Sequence, residues 1–249
     1  MRPISIFVAL VGAGTVVSAA SAADLPAKAP IAPAPVVAPY NWTGLYLAGG
    51  VGYQWAKVHD LAPASGFVTD STVRNGLVSG IIGGQYQFNV LPLGGLVVGA
   101  EAAGNAVIRD NSTDNFGLCA NPAFKCGLRR LQSLRTVGGR LGWAYDRWFV
   151  TVSGGWASAE FDRADFNSAG IFNAGGGGSN FRHHGHYFGG GLEYMIYSNA
   201  VTDIMVGIDY QHVWLNSQTD INANGVGHTM DAKDDIVRGR LTVKLNPWR

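Results

Sequence analysis

The sequence predicts an all-β fold: an eight-stranded antiparallel transmembrane β-barrel with long outer loops and short periplasmic turns. Three observations predict it. Eight segments alternate with period two, each long enough for the ~9–11 residues a tilted strand uses to cross a bilayer. The mid-strand charges share a parity with small and polar residues, opposite to the apolar parity. The links between segments alternate short and long. Composition agrees. Charged residues are 14% of the 249, against ~25% in soluble domains. The 35 glycines are about twice ordinary usage. Past the N-terminus no apolar run approaches a spanning helix, and no basic stripe points to nucleic acid.

Residues 1–22 read as a secretory signal peptide. Arg2 supplies the positive charge, residues 4–17 the apolar stretch, and Ala20-Ser21-Ala22 the small-x-small cleavage site. Without Arg2 the remaining 17 basic residues balance 17 acidic ones. Residues 23–39, ADLPAKAPIAPAPVVAP, hold five of the ten prolines. Proline fixes φ and lacks an N–H, so this stretch is expected to be an extended Pro/Ala-rich periplasmic spacer. Residues 40–249 are left for the barrel.

The strands are expected at about 41–55, 75–88, 95–109, 131–145, 148–162, 183–197, 201–215 and 235–248. Strand 1 sets Leu45, Leu47, Val51 and Tyr53 against Tyr46, Ala48 and Gly50. Strand 2 has Val78, Ile82, Tyr86 and Phe88 on its apolar side. Strand 4 has Val137, Leu141, Trp143 and Tyr145; strand 5 has Val150, Val152 and Trp156. Strand 7 has Ile204, Val206, Ile208 and Tyr210, and strand 8 has Val237, Leu241, Val243 and Leu245. A soluble barrel would bury these residues and expose its charges. A membrane barrel does the reverse, because a basic residue facing mid-bilayer lipid costs about 2–4 kcal/mol.

Short turns are expected around Pro92, Asp146-Arg147 and Ser198-Asn199-Ala200. Long outer links are expected at 56–74, 110–130, 163–182 and 216–234. Aromatics fall at both ends of the strands: Trp42, Phe88, Tyr145, Trp148, Tyr194 and Trp248 below, Tyr53, Trp55, Trp156, Tyr210 and Trp214 above. Amphipathic rings suit the two membrane interfaces.

The inward charges are Glu101, Arg140, Glu193, Asp209, Arg238, Arg240 and Lys244. The acids lie on strands 3, 6 and 7 and the bases on strands 4 and 8. An eight-stranded lumen is narrow enough for them to meet across it. The expectation is a buried, paired network that plugs the barrel; the alternative is a narrow channel for small solutes. Cys119 and Cys126 meet an oxidising compartment, which permits a disulfide worth about 2–3 kcal/mol. Two thiols without further ligands do not make a zinc site. His183, His184 and His186 sit beside a glycine-rich tip, where a metal or haem contact is weighed against a polar rim. His212, Ser217 and Asp209 are the one loose candidate for acyl hydrolysis, without a recognisable nucleophile elbow. No catalytic residue and no cofactor are expected.

Several segments carry a family resemblance: ADLPAKAP at 23–30, YNWTGLYLAGGVGYQW at 40–55, VVGAE at 97–101, LRTVGGRLGWAYDRWFVTVSGGWA at 134–157 and YFGGGLEY at 187–194. Together they resemble the small outer-membrane β-barrel proteins of alphaproteobacteria, the outer-membrane immunogenic or porin-family proteins. They are also similar to the transmembrane domain of OmpA. The resemblance implies a Gram-negative outer-membrane protein that supports envelope integrity and displays surface loops. It implies as partners outer-membrane lipid and lipopolysaccharide, the barrel assembly machinery, and peptidoglycan or environmental ligands. It also permits haemin binding. Such barrels usually end on an aromatic that the assembly machinery reads, a place Trp248 takes here before Arg249.

Overall fold

The computed structural model describes residues 40–62, 67–91, 94–110, 117–118, 124–167, 180–221 and 227–245. The signal peptide, the spacer, Pro92, Cys119 and Trp248 lie outside these residues; Cys126 lies within them, its backbone in register with Gly117, while the other half of the expected disulfide does not. Eight long strands form the wall: β1 Gly44–Ala62, β2 Phe67–Leu91, β3 Gly94–Asp110, β4 Phe124–Tyr145, β5 Trp148–Asn167, β6 Asn180–Ser198, β7 Thr202–Ile221 and β8 Gly227–Leu245. A two-residue strand, Gly117–Leu118, pairs with the start of β4. Each long strand pairs antiparallel with the next, and β8 pairs with β1, so the sheet closes.

The register fixes the barrel's geometry. Directly paired residues can be followed from Leu45 through Gly84, Ala100, Gly139, Gly154, Phe188, His212 and Asp235. Asp235 then pairs with Trp55, so the row returns to β1 ten residues above its start. A shear of ten across eight strands tilts them by roughly 40° to the barrel axis. Rows therefore climb around the wall. Arg135 stands out from the same face as Val137, in the row that starts at Gly49. Three strands of climb lift it about four residues, close to the level of Tyr53 at the outer interface, where its charge reaches headgroups.

The two faces divide by parity. Leu47, Val51 and Ile82 are 58%, 64% and 60% exposed, and the apolar residues of β4, β5 and β7 also point outward. Inside, the lumen is filled by side chains. An apolar cluster that includes Leu77, Leu134, Phe161, Val213 and Ile236 fills the outer half. Another, around Trp42, Phe149 and Met205, closes the lower end.

Two expectations change. The links at 56–74 and 216–234 are largely strand, and the described parts of 110–130 and 163–182 are strand as well, because β1, β2 and the other hairpins continue well past the apolar band. Beyond that band the outward face turns polar and the apolar residues face the lumen. Ala56, Val58, Val73 and Met230 are buried while Lys57, His59 and Asp70 point outward, so the strands continue without the outward apolar stripe that marks them in the sequence. Trp42 is the second change. It is fully buried instead of joining the lower aromatic girdle. Its ring packs 4.9 Å from Phe149 and 5.1 Å from Tyr40, and its indole N–H donates to the Asp146 carbonyl at 3.2 Å. Gln85 donates to the Trp42 carbonyl and Gln87 accepts from its amide. Residues 40–43 thus cross the lower mouth of the barrel.

The turns explain their own sequences. Asp146 has φ +49°, a left-handed conformation that Asp tolerates better than most residues. Asn199 Oδ1 accepts from the amides of Val201 and Thr202 at 2.8 and 2.6 Å, closing the turn before β7.

Candidate functional site: the charged lumen

The inward parity brings acids and bases from β3, β4, β6, β7 and β8 to one level. Glu101 lies 3.5 Å from Arg140 and 3.2 Å from Arg240. Arg140 donates to Glu193 in the tightest of these pairs. Arg240 also stands 3.9 Å from Glu193 and 3.8 Å from Asp209. Arg238 grips Asp209 through Nε at 3.1 Å and Nη2 at 2.9 Å. All six are buried.

Neutral groups complete the arrangement. Tyr46 Oη donates to Glu101 at 3.0 Å and accepts from Arg140 at 2.9 Å. The Arg140 guanidinium also lies 5.0 Å from the Phe149 ring centre and 5.4 Å from that of Tyr46. Arg238 Nη1 donates to Asn105 at 3.0 Å and Ser79 at 3.3 Å, and Ser79 donates to Asn105 at 2.6 Å. Asn105 is tied in turn to the Leu134 carbonyl at 3.2 Å. Three carboxylates and three guanidiniums therefore meet in one buried layer, in which Nη2 of Arg240 alone makes neither a hydrogen bond nor an ion pair among the described residues. Buried charges survive only when so paired and hydrogen-bonded.

Inward glycines make the room. A Cβ at Gly83 would come within 2.3 Å of Tyr46 Oη, and one at Gly50 within 2.9 Å of the Arg238 side chain. At Gly207 it would lie 2.8 Å from Glu193 Cγ. Gly50, Gly83 and Gly207 are thus spaces for the long side chains of the layer.

Lys244 stands apart from this layer. It sits 3.1 Å from Asp203 at the lower mouth, and both are fully buried. Tyr40 Oη and Ser198 Oγ each donate to Asp203 at 2.6 Å. Lys244 also donates to the carbonyls of Asn41 and Thr43 and lies 4.5 Å from the Tyr40 ring centre. Asp203 and Tyr40 belong to this arrangement and are absent from the sequence reading. Asp203 shares the inward parity of Asp209, a signal that could have found it.

The histidines divide. His183 points inward and packs edge-on against Phe161 at 5.7 Å. His184 and His186 face outward and stack on Trp156 and Trp214, at 5.3 and 5.2 Å. The strand puts the first on the opposite side of the wall from the other two. Among the described residues no three metal-ligating side chains converge. The loose hydrolase set does not assemble either. Asp209 faces the lumen while His212 faces out, where its Nδ1 lies 2.5 Å from Asp235. Ser217 is exposed beyond them.

A family model for the outer membrane protein beta-barrel domain matches residues 10–234 of this chain. No curated protein sequence matches it. Among solved structures, the attachment invasion locus protein Ail of Yersinia pestis, in complex with the heparin analogue sucrose octasulfate, is 10% identical. That match covers 80% of this chain and 99% of Ail, with a TM-score of 0.34. Neisserial surface protein A is 14% identical over 81% of this chain and 97% of its own, with a TM-score of 0.35. The outer membrane protease OmpT of Escherichia coli is 9% identical over 82% and 97%, with a TM-score of 0.39.

Proposed function

The chain belongs to the outer membrane protein beta-barrel domain family, and on that premise we propose that it is a structural barrel that does not conduct. It supports the envelope and displays its outer hairpins. The observation that carries this reading is the double closure of the lumen. One seal is the Glu101, Arg140, Glu193, Asp209, Arg238 and Arg240 layer. The other is the Tyr40-to-Thr43 segment strapped over the lower mouth by Asp203, Lys244 and Phe149. A layer whose bases and acids cancel inside an eight-stranded wall leaves a permeating ion neither room nor a net field.

This reading also takes residues 1–22 as a cleaved signal and residues 23–39 as a spacer on the periplasmic side, entering the barrel at Tyr40. It takes outer-leaflet lipid and lipopolysaccharide as the partners of the outward face, the assembly machinery as the reader of the C-terminal end, and peptidoglycan or environmental ligands as further contacts. The alphaproteobacterial porin-like proteins and the OmpA transmembrane domain are the sequence analogies behind it.

Planar-bilayer recording on the refolded protein tests the proposal. The expected record shows no stable single-channel steps from the wild type. Large, stable steps from the purified protein would defeat the plug and favour the solute channel.

A further inference from the structure

Above the charged layer the lumen holds a carboxylate with no base. Asp234 is 1% exposed, and among the described residues neither of its oxygens makes a hydrogen bond. The amide of Asp235 approaches it outside hydrogen-bond geometry. Two more orphaned atoms stand beside it: Nε2 of Gln54 and Oε1 of Gln211, on side chains 1% and 2% exposed.

The register puts the three together. Ile236 on β8 is paired with Gln54 of β1 on one side and Gln211 of β7 on the other. Asp234 is the next inward residue along β8, opposite Ala56 and Val213. It is therefore the diagonal neighbour of both glutamines, about 7 Å away across the sheet, within reach of side chains of this length.

The surroundings supply no countercharge. From β1 it faces Gln54, Ala56 and Val58, with Asp60 beyond them; from β7 it faces Gln211, Val213 and Leu215. Along β8 it has Ala232 and Ile236, then Arg238, which is committed to Asp209. His183 and Tyr187 line the cap from β6. Lys57, Lys233 and Asp235 belong to the opposite face. An ionised carboxylate in such an apolar cap is among the costliest groups a protein can bury.

Donor and acceptor counting then resolves the cluster. The orphans are the two N–H donors of Gln54 Nε2, one acceptor atom on Gln211 and two acceptor atoms on Asp234. Adding one proton to Asp234 turns them into two complementary hydrogen bonds. Gln54 Nε2–H donates to the acid carbonyl, and the acid O–H donates to Gln211 Oε1. We propose that Asp234 is a proton-binding site of the outer lumen, held as a neutral acid between Gln54 and Gln211 and tying β1, β8 and β7 together. Loss of that proton puts a lone charge into the cap, which then admits water and loosens the outer half of the barrel. This holds whether or not the barrel conducts.

The test compares the wild type with Asp234→Asn, whose amide reproduces both hydrogen bonds without a titrating proton. Thermal unfolding of the full refolded chain is followed from about pH 6 to about pH 10 in sodium, potassium and bulky organic-cation buffers. The wild-type midpoint should fall at the alkaline end, on the order of 5 °C, while the variant stays level. Infrared spectroscopy should show a protonated carboxylic-acid carbonyl band in the wild type at neutral pH, absent from the variant. Parallel pH profiles, or a wild type without that band, would overturn the proposal. So would a wild-type midpoint that rises with sodium or potassium at fixed pH, since the occupant would then be an alkali ion. If the variant does not refold, a pH titration of the wild-type band alone decides the question.

Discussion

Replacing Arg140 with Met tests the charged layer at its most connected residue. The substitution keeps an unbranched stem and removes the guanidinium. It deletes the tight pair with Glu193, the 2.9 Å bond to Tyr46 and the 3.5 Å pair with Glu101. The consequences differ for the two acids. Glu101 keeps Arg240 at 3.2 Å and Tyr46 at 3.0 Å. Glu193 keeps only Thr242 at 3.4 Å and Arg240 at 3.9 Å, both at the edge of useful contact. The variant therefore strands one buried carboxylate, and the expected loss is about 3–5 kcal/mol. Removing both partners, as Arg140→Met with Glu193→Met, strands nothing. The double variant should recover to within about 1–2 kcal/mol of the wild type, because apolar replacement of a whole buried pair is often neutral. The assay is urea unfolding of the barrel refolded in lipid, read by heat-modifiable gel migration and tryptophan fluorescence. A single-variant loss below about 1 kcal/mol would refute the reasoning, as would additivity in the double variant.

Two further outcomes follow from the same geometry. Gly83→Ala should destabilise or block refolding, since its Cβ would stand 2.3 Å from Tyr46 Oη and 2.8 Å from the Ala100 carbonyl. Gly49→Ala on the adjacent strand should fold normally, because nothing lies within 4 Å of its added Cβ, and the two are compared by gel migration. At the outer end of the β1–β2 hairpin, the hydrogen bond that His59 donates to Asp70 raises the His59 pKa above its ordinary value. A raised folded-state value means the pair contributes fully below about pH 6.5 and fades as pH climbs through the shifted value. Protection factors of the amides near His59, corrected for intrinsic exchange at each pH, should therefore be higher on the acid side, and Asp70→Asn should erase the difference.

Much of the barrel is legible in the chain because its two faces obey a strict period of two. Leu45, Leu47 and Val51 declare one face, and Glu101, Arg140 and Arg238 declare the other. The outer halves of the hairpins are not legible, because beyond the lipid band the outward face turns polar, as at His59 and Asp70, and the apolar residues, as at Val58 and Val73, face the lumen, while the pairing continues. Parity also names the inward charges without saying which of them meet.

The sequence by itself therefore determined the strands, their facing and the stock of lumen charges, since these depend on local alternation and on the cost of exposing charge to lipid. Only the tertiary structure decided the pairings. The ten-residue climb of the rows sets which residues of distant strands share a level, so Glu101 of β3 meets Arg240 of β8, while the β7–β8 register gives Lys244 to Asp203 at the lower mouth. Closure turns Trp42 inward onto Phe149 and leaves Asp234 between two glutamines, and the β7–β8 register gives His212 Asp235 in place of Asp209. Contacts across a closed wall depend on shear, a property of the whole ring that no stretch of chain carries alone.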